Sequence, residues 1–330
     1  MFDKILKRLK RKARSFFKAE PPRPEVKPAE PAPPKTRPKP PAPKTEPSSF
    51  APWVGADTPC PACGARATHQ SDYPSRVQPF ASCTMLYCSA CGLGFVPDIS
   101  RETLTQYYQQ DYGSSNRGDR QVEPERYFRE QLASNSPAFK RYTTRAQRQI
   151  DLLKKHGAAL EKVLDYGSGP GYFLHACKAP QASAVEPDEL SHKYLTYLGA
   201  TIHSDFRSLP KAEFDTIVAS HSIEHVPAAD LHETLTALIS ALKPQGRLLI
   251  EVPQGGHSYL HLAGHRQDPH TLFFTGQALV EALKAAGAEI LFQQAMSRVD
   301  SPRRIDPIYT GTGDPFFETA RGSLTVICRP

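Results

Sequence analysis

The chain has 330 residues, 39% of them hydrophobic, which is enough for one large domain with a small module beside it. Its charge is uneven: residues 1–50 carry a net +9, so the remaining 280 carry −2, and the basic balance belongs to an amino-terminal arm rather than to the body. The body therefore gives no reason to expect a nucleic-acid groove, and no run of 18 apolar residues exists to cross a bilayer.

Residues 1–20 open the chain with Phe2, Ile5, Leu6, Leu9, Ala13, Phe16 and Phe17 at three- and four-residue steps, and eight Lys/Arg fill the rest of the wheel. The spacing predicts a basic amphipathic helix. Such a helix suits an anionic membrane surface, gaining about 1 kcal/mol per basic residue near the lipid. A protein-binding helix, a nucleic-acid arm and an organelle presequence are the competing readings. The apolar stripe argues against a purely phosphate-binding arm, and scarce serine argues against a presequence. The basic start lacks an apolar h-region, so no secretory leader is expected. A cytoplasmic protein, peripheral on the inner face of the cell membrane, follows as the expected location. Residues 21–50 form a proline-rich linker, with twelve prolines among residues 21–48. It cannot bury a core and favours extended polyproline II, spanning up to roughly 90 Å as a disordered spacer.

Residues 51–99 contain two CxxCG knuckles, Cys60-Pro61-Ala62-Cys63-Gly64 and Cys88-Ser89-Ala90-Cys91-Gly92, with 24 residues between the pairs. Each knuckle sets two thiolates on one tight turn. Four sulfurs, Cys60, Cys63, Cys88 and Cys91, suit a closed tetrahedral structural zinc, with a hairpin spanning the gap. A redox pair is the rival reading, but one pair would suffice for that. Cys83 fits no knuckle, and Cys177 and Cys328 read as small core residues. Residues 100–155 read as a helical connector or cap. Its Tyr107, Tyr108 and Tyr112 serve either an acceptor or the core.

Residues 156–330 hold the most informative stretch. Val163-Leu164-Asp165-Tyr166 reads as a buried strand, Gly167-Ser168-Gly169-Pro170-Gly171 as a turn, and Tyr172-Phe173-Leu174 as the start of a helix. A strand–glycine turn–helix unit places a nucleotide at the carboxyl end of a parallel sheet. Glu186, ending the short strand Ser183-Ala184-Val185-Glu186, stands where an acid meets ribose hydroxyls. Asp205 follows in His203-Ser204-Asp205-Phe206. Phe214–Ser220 reads as the next strand, and Leu242-Lys243-Pro244-Gln245-Gly246 as the turn into another.

These four motifs in this order resemble the class I S-adenosylmethionine-dependent methyltransferases. The resemblance implies an α/β, Rossmann-like seven-stranded sheet and S-adenosylmethionine as cofactor. It assigns Asp165, Gly167, Gly169, Gly171, Glu186, Asp205 and Ser220 to the cofactor site, with Asp205 beside the adenine. Gln245 replaces the first glycine of the family's "LKPGG" turn. Joined to a zinc ribbon and to Gly92-Leu93-Gly94-Phe95, the core is similar to bacterial methyltransferases of glycan and deoxysugar pathways. That likeness implies a small-molecule or lipid-linked sugar acceptor; nucleic acid is not an expected partner.

The segments after the fourth and fifth strands are rich in histidine, which suits proton removal near neutral pH. His221-Ser222-Ile223-Glu224-His225 spells HxxEH, a zinc-peptidase string, but it follows a strand inside the methyltransferase order and is not read as one. Asp268-Pro269-His270-Thr271-Leu272-Phe273-Phe274-Thr275 resembles a segment preceding a helix in glycan methyltransferases. His270 is the first candidate for a general base and His225 the second, with His221 facing the cleft. His257, His261, His265 and His270 match no metal-ligand spacing. A helix over 277–287, strands over 288–292 and 322–328, and a loop over 300–321 complete the reading. Alternatives are a methyltransferase of another small molecule or of nucleic acid, or a non-catalytic scaffold retaining the fold.

Overall fold

The computed structural model describes residues 51–73, 75, 77–108, 122–132, 137–254, 269–297 and 322–330. The amphipathic arm, the proline-rich linker, Tyr112, His257, His261, His265 and the segment 300–321 lie outside the described residues. Among the described residues, no helix is long and apolar enough to cross a membrane.

The strands are β1 (Ala51–Pro52), β2 (His69–Asp72), β3 (Thr84–Tyr87), β4 (Gly94–Phe95), β5 (Lys162–Tyr166), β6 (Gln181–Val185), β7 (Thr201–His203), β8 (Phe214–Ser220), β9 (Leu242–Pro253), β10 (Leu272–Phe273), β11 (Glu289–Ser297) and β12 (Gly322–Arg329). The main helices are α1 (Arg101–Tyr107), α2 (Pro137–Lys155), α3 (Tyr172–Cys177), α4 (Glu189–Tyr197), α5 (Leu231–Ala241) and α6 (Gly276–Ala285).

Seven strands form the large sheet in the order β11-β12-β9-β8-β5-β6-β7. The strands from β7 to β9 are parallel, while β12 runs antiparallel to both β9 and β11. Apolar runs explain the central position of β5, β8 and β9, because a parallel strand is covered on both faces. Successive side chains alternate between those faces. Leu164, Ile217, Ala219, Leu248 and Ile250 pack on the side of α5 and α6, whose Leu235, Leu238, Leu279 and Leu283 are fully buried. Val163, Val218 and Leu249 pack on the opposite side, against Ala146, Ile150 and Leu153 of α2 and Phe173 of α3. Ala146, Ile150 and Leu153 recur at four- and three-residue steps, which gives α2 one apolar face.

β5 lies between β6 and β8, so the chain leaves it in one direction and later returns on its other side. In open parallel sheets this reversal opens a crevice at the carboxyl ends of the strands. The glycine turn after β5 sits there.

A second, antiparallel sheet has the order β1-β2-β3-β4-β10. The cysteine knuckles lie between its first four strands, and its fifth, β10, follows β9 of the large sheet in the chain. Cys60, Cys88, Cys91, Leu86, Leu93 and Phe95 belong to one continuous core with Ile250, Val252 and Leu279. The ribbon is thus packed as part of the main body.

Candidate donor pocket and histidine cluster

Gly167, Gly169 and Gly171 all adopt positive φ, at 71°, 52° and 87°, a region that an L side chain enters only with strain. A Cβ on Gly167 would stand 2.4 Å from Cβ of Ser222, and one on Gly171 would stand 2.7 Å from Leu198 Cδ1. Those two glycines let the turn pack against β8's loop and against α4. Gly169 differs, because a Cβ there would meet nothing within 4 Å. It borders a cavity of about 300 Å³, at the lower end of the range for small-molecule sites.

Gly167, Glu186, Asp205, Phe206, His221 and His225 line this cavity, as do Arg101 and Tyr108 from the connector. Asp165, Gly171, Ser220 and His270 are not among its lining residues. Glu186 accepts the Gly169 N–H at 2.5 Å and the Asp188 N–H at 2.9 Å, so its carboxylate braces the glycine turn. Asp205 caps the turn that follows it, accepting the Arg207 N–H at 2.9 Å. Its other oxygen takes Arg101 Nη1 at 2.8 Å, while Arg101 Nη2 reaches Asp230 at 2.7 Å. The same guanidinium lies 5.0 Å from the centre of the Phe206 ring. One arginine thus closes the connector over one end of the cavity.

Asp165 lies beneath the turn. Burial pushes its carboxyl up to about 8, with the charge of Glu186 adding to the effect. Between the ordinary value of 3.8 and about 8 the folded carboxyl keeps a proton that the unfolded one releases, so its contribution to stability falls as pH rises through that window. Asp165→Asn is expected to be more stable than the parent at pH 8, by on the order of 2–4 kcal/mol, with a much smaller gain at pH 4.5. Urea melts at the two pH values check this, and equal gains would contradict it.

The other end of the cavity carries the histidines. His221 has φ 55°, a strained value for a non-glycine residue, held by its N–H donating to Glu251 O at 2.7 Å. Its Nδ1 lies 3.5 Å from Glu224 Oε1 and its Nε2 lies 3.6 Å from Glu251 Oε1. Burial opposes protonation of His221, but Glu224 and Glu251 outweigh it and raise the affinity for a proton. Burial would likewise raise Glu224, yet His221 and His225 hold it at about 2. His225 Nε2 is 3.8 Å from Glu224 Oε1, and the His225 and His270 rings are 4.6 Å apart. Burial lowers His225, and it lowers His270 to about 3, so both imidazoles are neutral at pH 7. One nitrogen each of His225 and His270 and one oxygen of Glu224 lie within 4.8 Å of one another. The arrangement sets one buried anion amid three histidines.

Glu251 is the residue that sequence reasoning passed over. It is 1% exposed at the end of β9. Its Oε2 takes Arg148 at 2.5 Å and Gln149 at 3.0 Å, and its Oε1 lies 3.6 Å from Arg145. Gln149 also donates to the Ser220 hydroxyl at 2.8 Å. Arg145, Arg148 and Gln149 recur at three- and four-residue steps on α2, a polar stripe in the sequence that calls for an acidic partner.

The four knuckle cysteines form the second cluster. Cys60 Sγ lies 3.6 Å from Cys91 Sγ, Cys63 Sγ lies 3.6 Å from Cys88 Sγ, and all four sulfurs lie within 4.8 Å of one another. Sulfurs bound to zinc at about 2.3 Å stand about 3.8 Å apart along a tetrahedral edge, so the set fits that ion with little movement. Cys83, Cys177 and Cys328 lie outside the cluster.

Residues 135–293 match the family described as a methyltransferase domain. No curated protein matches the chain. Solved structures of similar fold include an S-adenosylmethionine-dependent methyltransferase from Archaeoglobus fulgidus, 22% identical, covering 58% of this chain and 94% of that one with a TM-score of 0.42. Another is an S-adenosylmethionine-dependent methyltransferase from Clostridium acetobutylicum, 13% identical, covering 57% and 91% with a TM-score of 0.43. A third is the putative methyltransferase bound to the Trm112 activator of Haloferax volcanii, 21% identical, covering 58% and 95% with a TM-score of 0.40. By the domain match and the sheet order, residues 135–293 have the fold of a methyltransferase domain.

Proposed function

We propose that the protein transfers a methyl group from S-adenosylmethionine to a sugar or lipid-linked glycan intermediate. The observation that carries the donor assignment is the cavity at the sheet's reversal point, bordered by Gly169 with open space where a side chain would be. Backbone can approach a ligand closely only where no Cβ intervenes. Glu186 would hold ribose hydroxyls, and Asp205 with Phe206 would flank the base. Asp165, Gly171 and Ser220 would support the pocket from behind. The bound donor supplies an electrophilic methyl group.

His221 and His225 face the cavity from the other end. His225, neutral at pH 7, would take the proton that the acceptor's O–H or N–H must lose. Glu224, ionised beside it, would stabilise the imidazolium so formed. His270 stands behind His225 and would help orient its ring. Cys60, Cys63, Cys88 and Cys91 would hold a structural zinc. The amphipathic pattern of residues 1–20 supports attachment at the cytoplasmic membrane face, where a lipid-linked acceptor would be found.

Calorimetry with S-adenosylmethionine tests the donor assignment, and absence of binding removes it. Gly169→Ala should weaken that binding by about tenfold or more, since its Cβ enters the cavity, while costing the fold only about 1–2 kcal/mol of left-handed strain. Unchanged affinity would mean the cavity is not the donor site. Labelled donor incubated with fractionated nucleotide sugars and lipid-linked glycans tests the acceptor; label appearing only in other fractions overturns the sugar assignment. Flotation with anionic liposomes, comparing the full chain with one beginning at Phe50, tests the arm, and equal behaviour overturns attachment.

A further inference from the structure

Residues 269–275 connect the two sheets. Leu272 pairs with Phe95 and Phe273 with Gly94, which makes β10 the fifth strand of the cysteine ribbon. Phe274 then bridges in parallel to Gln254, just past β9 of the large sheet. Ribbon residues grip the same segment along its length. Val96 N–H donates to Thr271 O at 2.9 Å, the Tyr73 hydroxyl donates to His270 O at 3.0 Å, and the Thr275 hydroxyl donates to Cys91 O at 2.5 Å.

The segment in turn holds the histidine-bearing turn of the pocket. Thr271 N–H donates to Glu224 O at 2.8 Å, and its hydroxyl lies 3.2 Å from Glu224 O and 2.5 Å from Val226 O. Thr271 and Thr275 are both fully buried. A side-chain hydroxyl there is costly unless its bonds are made, so these contacts hold the backbone in one arrangement. From Cys91 to Glu224, contacts run without a break through a segment of seven residues.

We infer that the cysteine ribbon is the wall against which the Glu224–Val226 turn is set, with Thr271 and Tyr73 as positioning residues, so that metal at the four cysteines governs the placement of His225 and His270. The inference rests on the zinc reading given above. A sheet of two- and four-residue strands is too small to hold its shape by apolar burial alone, and thiolate ligation supplies the missing folding energy. Loss of the metal loosens β4, then its partner β10, and then Thr271. Among the described residues, the titratable groups facing His225 are Glu224 and His221 on its own loop, His270 from the connecting segment, and Tyr108 from the helical connector. Movement of His270 therefore changes what His225 meets.

The test uses the full chain with ring-labelled histidine, its zinc content measured, and its imidazole resonances followed by NMR. Zinc withdrawal by a chelator is expected to shift the signals of His225 and His270 while leaving those of His156 and His175 in place. Thr271→Val should shift the same two signals at unchanged metal content, Thr271→Ser should restore them, and Tyr73→Phe should shift His270 more than His225. Histidine signals that ignore both zinc removal and Thr271→Val overturn the inference while leaving the zinc reading intact. A protein that retains no zinc overturns both. Should chelation move all the histidines together, the Thr271 pair decides: Val and Ser behaving alike overturns the inference, and rescue by Ser supports it.

Discussion

His225→Gln is expected to reduce methyl transfer by roughly 10²- to 10⁴-fold, the range by which a positioned general base accelerates a reaction, while leaving S-adenosylmethionine affinity within about threefold. Three features lead to this number. His225 lines the cavity, its burial keeps it neutral at pH 7, and Glu224 beside it is buried and ionised. A base must be unprotonated to act. Since burial lowers His225 below 6.5, the rate of the parent should rise with pH through a value under 6.5 and level off by pH 7. That acid limb should vanish in His225→Gln. Single-turnover rates across pH 5 to 8 check both statements. A variant that keeps the parental rate and acid limb would transfer the role to His221, whose affinity for a proton is raised and whose limb would extend to higher pH.

Glu251→Leu should be the most destabilising substitution in the pocket's surroundings, by about 2–3 kcal/mol at pH 7. Removing one partner of a buried pair costs about 3–5 kcal/mol, and the figure is reduced here because Arg148 is 35% exposed and recovers water. Burial would raise Glu251, yet His221 and Arg148 hold it at about 2. The sign follows from proton counting. Above the unfolded value of 4.5 both states are ionised and the stabilisation is fully present; as pH falls from 4.5 toward 2 it is lost. Parent and variant should therefore differ most at pH 7 and converge as the medium is acidified toward pH 3. Urea unfolding at those two pH values measures the difference. A constant gap would mean that the loss comes from packing rather than from the ion pairs. His221 adds a second readout, since loss of Glu251 removes one of its two carboxylates and should lower its proton affinity.

Much of the scaffold was set by local pattern. The strand expected over Phe214–Ser220 occupies those same residues, with Phe214 and the apolar run Ile217–Ala219 set between polar turns. The helix expected over 277–287 runs from Gly276 to Ala285, capped by the Thr275 hydroxyl on Ala278 N–H. The final strand pair is present and longer than expected, since β11 continues to Ser297 in register with β12. Glycine spacing likewise announced the turn after β5, and paired CxxC spacing announced four converging sulfurs.

The chain's own order of residues determined the strands, helices, glycine turn and cysteine knuckles, because each rests on periodicity or on torsional demands spanning fewer than about a dozen residues. The tertiary structure alone decided that Leu272–Phe273 would pair with Gly94–Phe95, that Arg148 would meet Glu251, and that Arg101 would close over Asp205. The same holds for the glycines: their spacing was plain, but only packing against Ser222 and Leu198 separates Gly167 and Gly171 from Gly169, which faces the cavity. A side chain carries its charge and shape in the sequence, whereas its partner is chosen by which strands pair and which helices cover them, across a hundred residues or more.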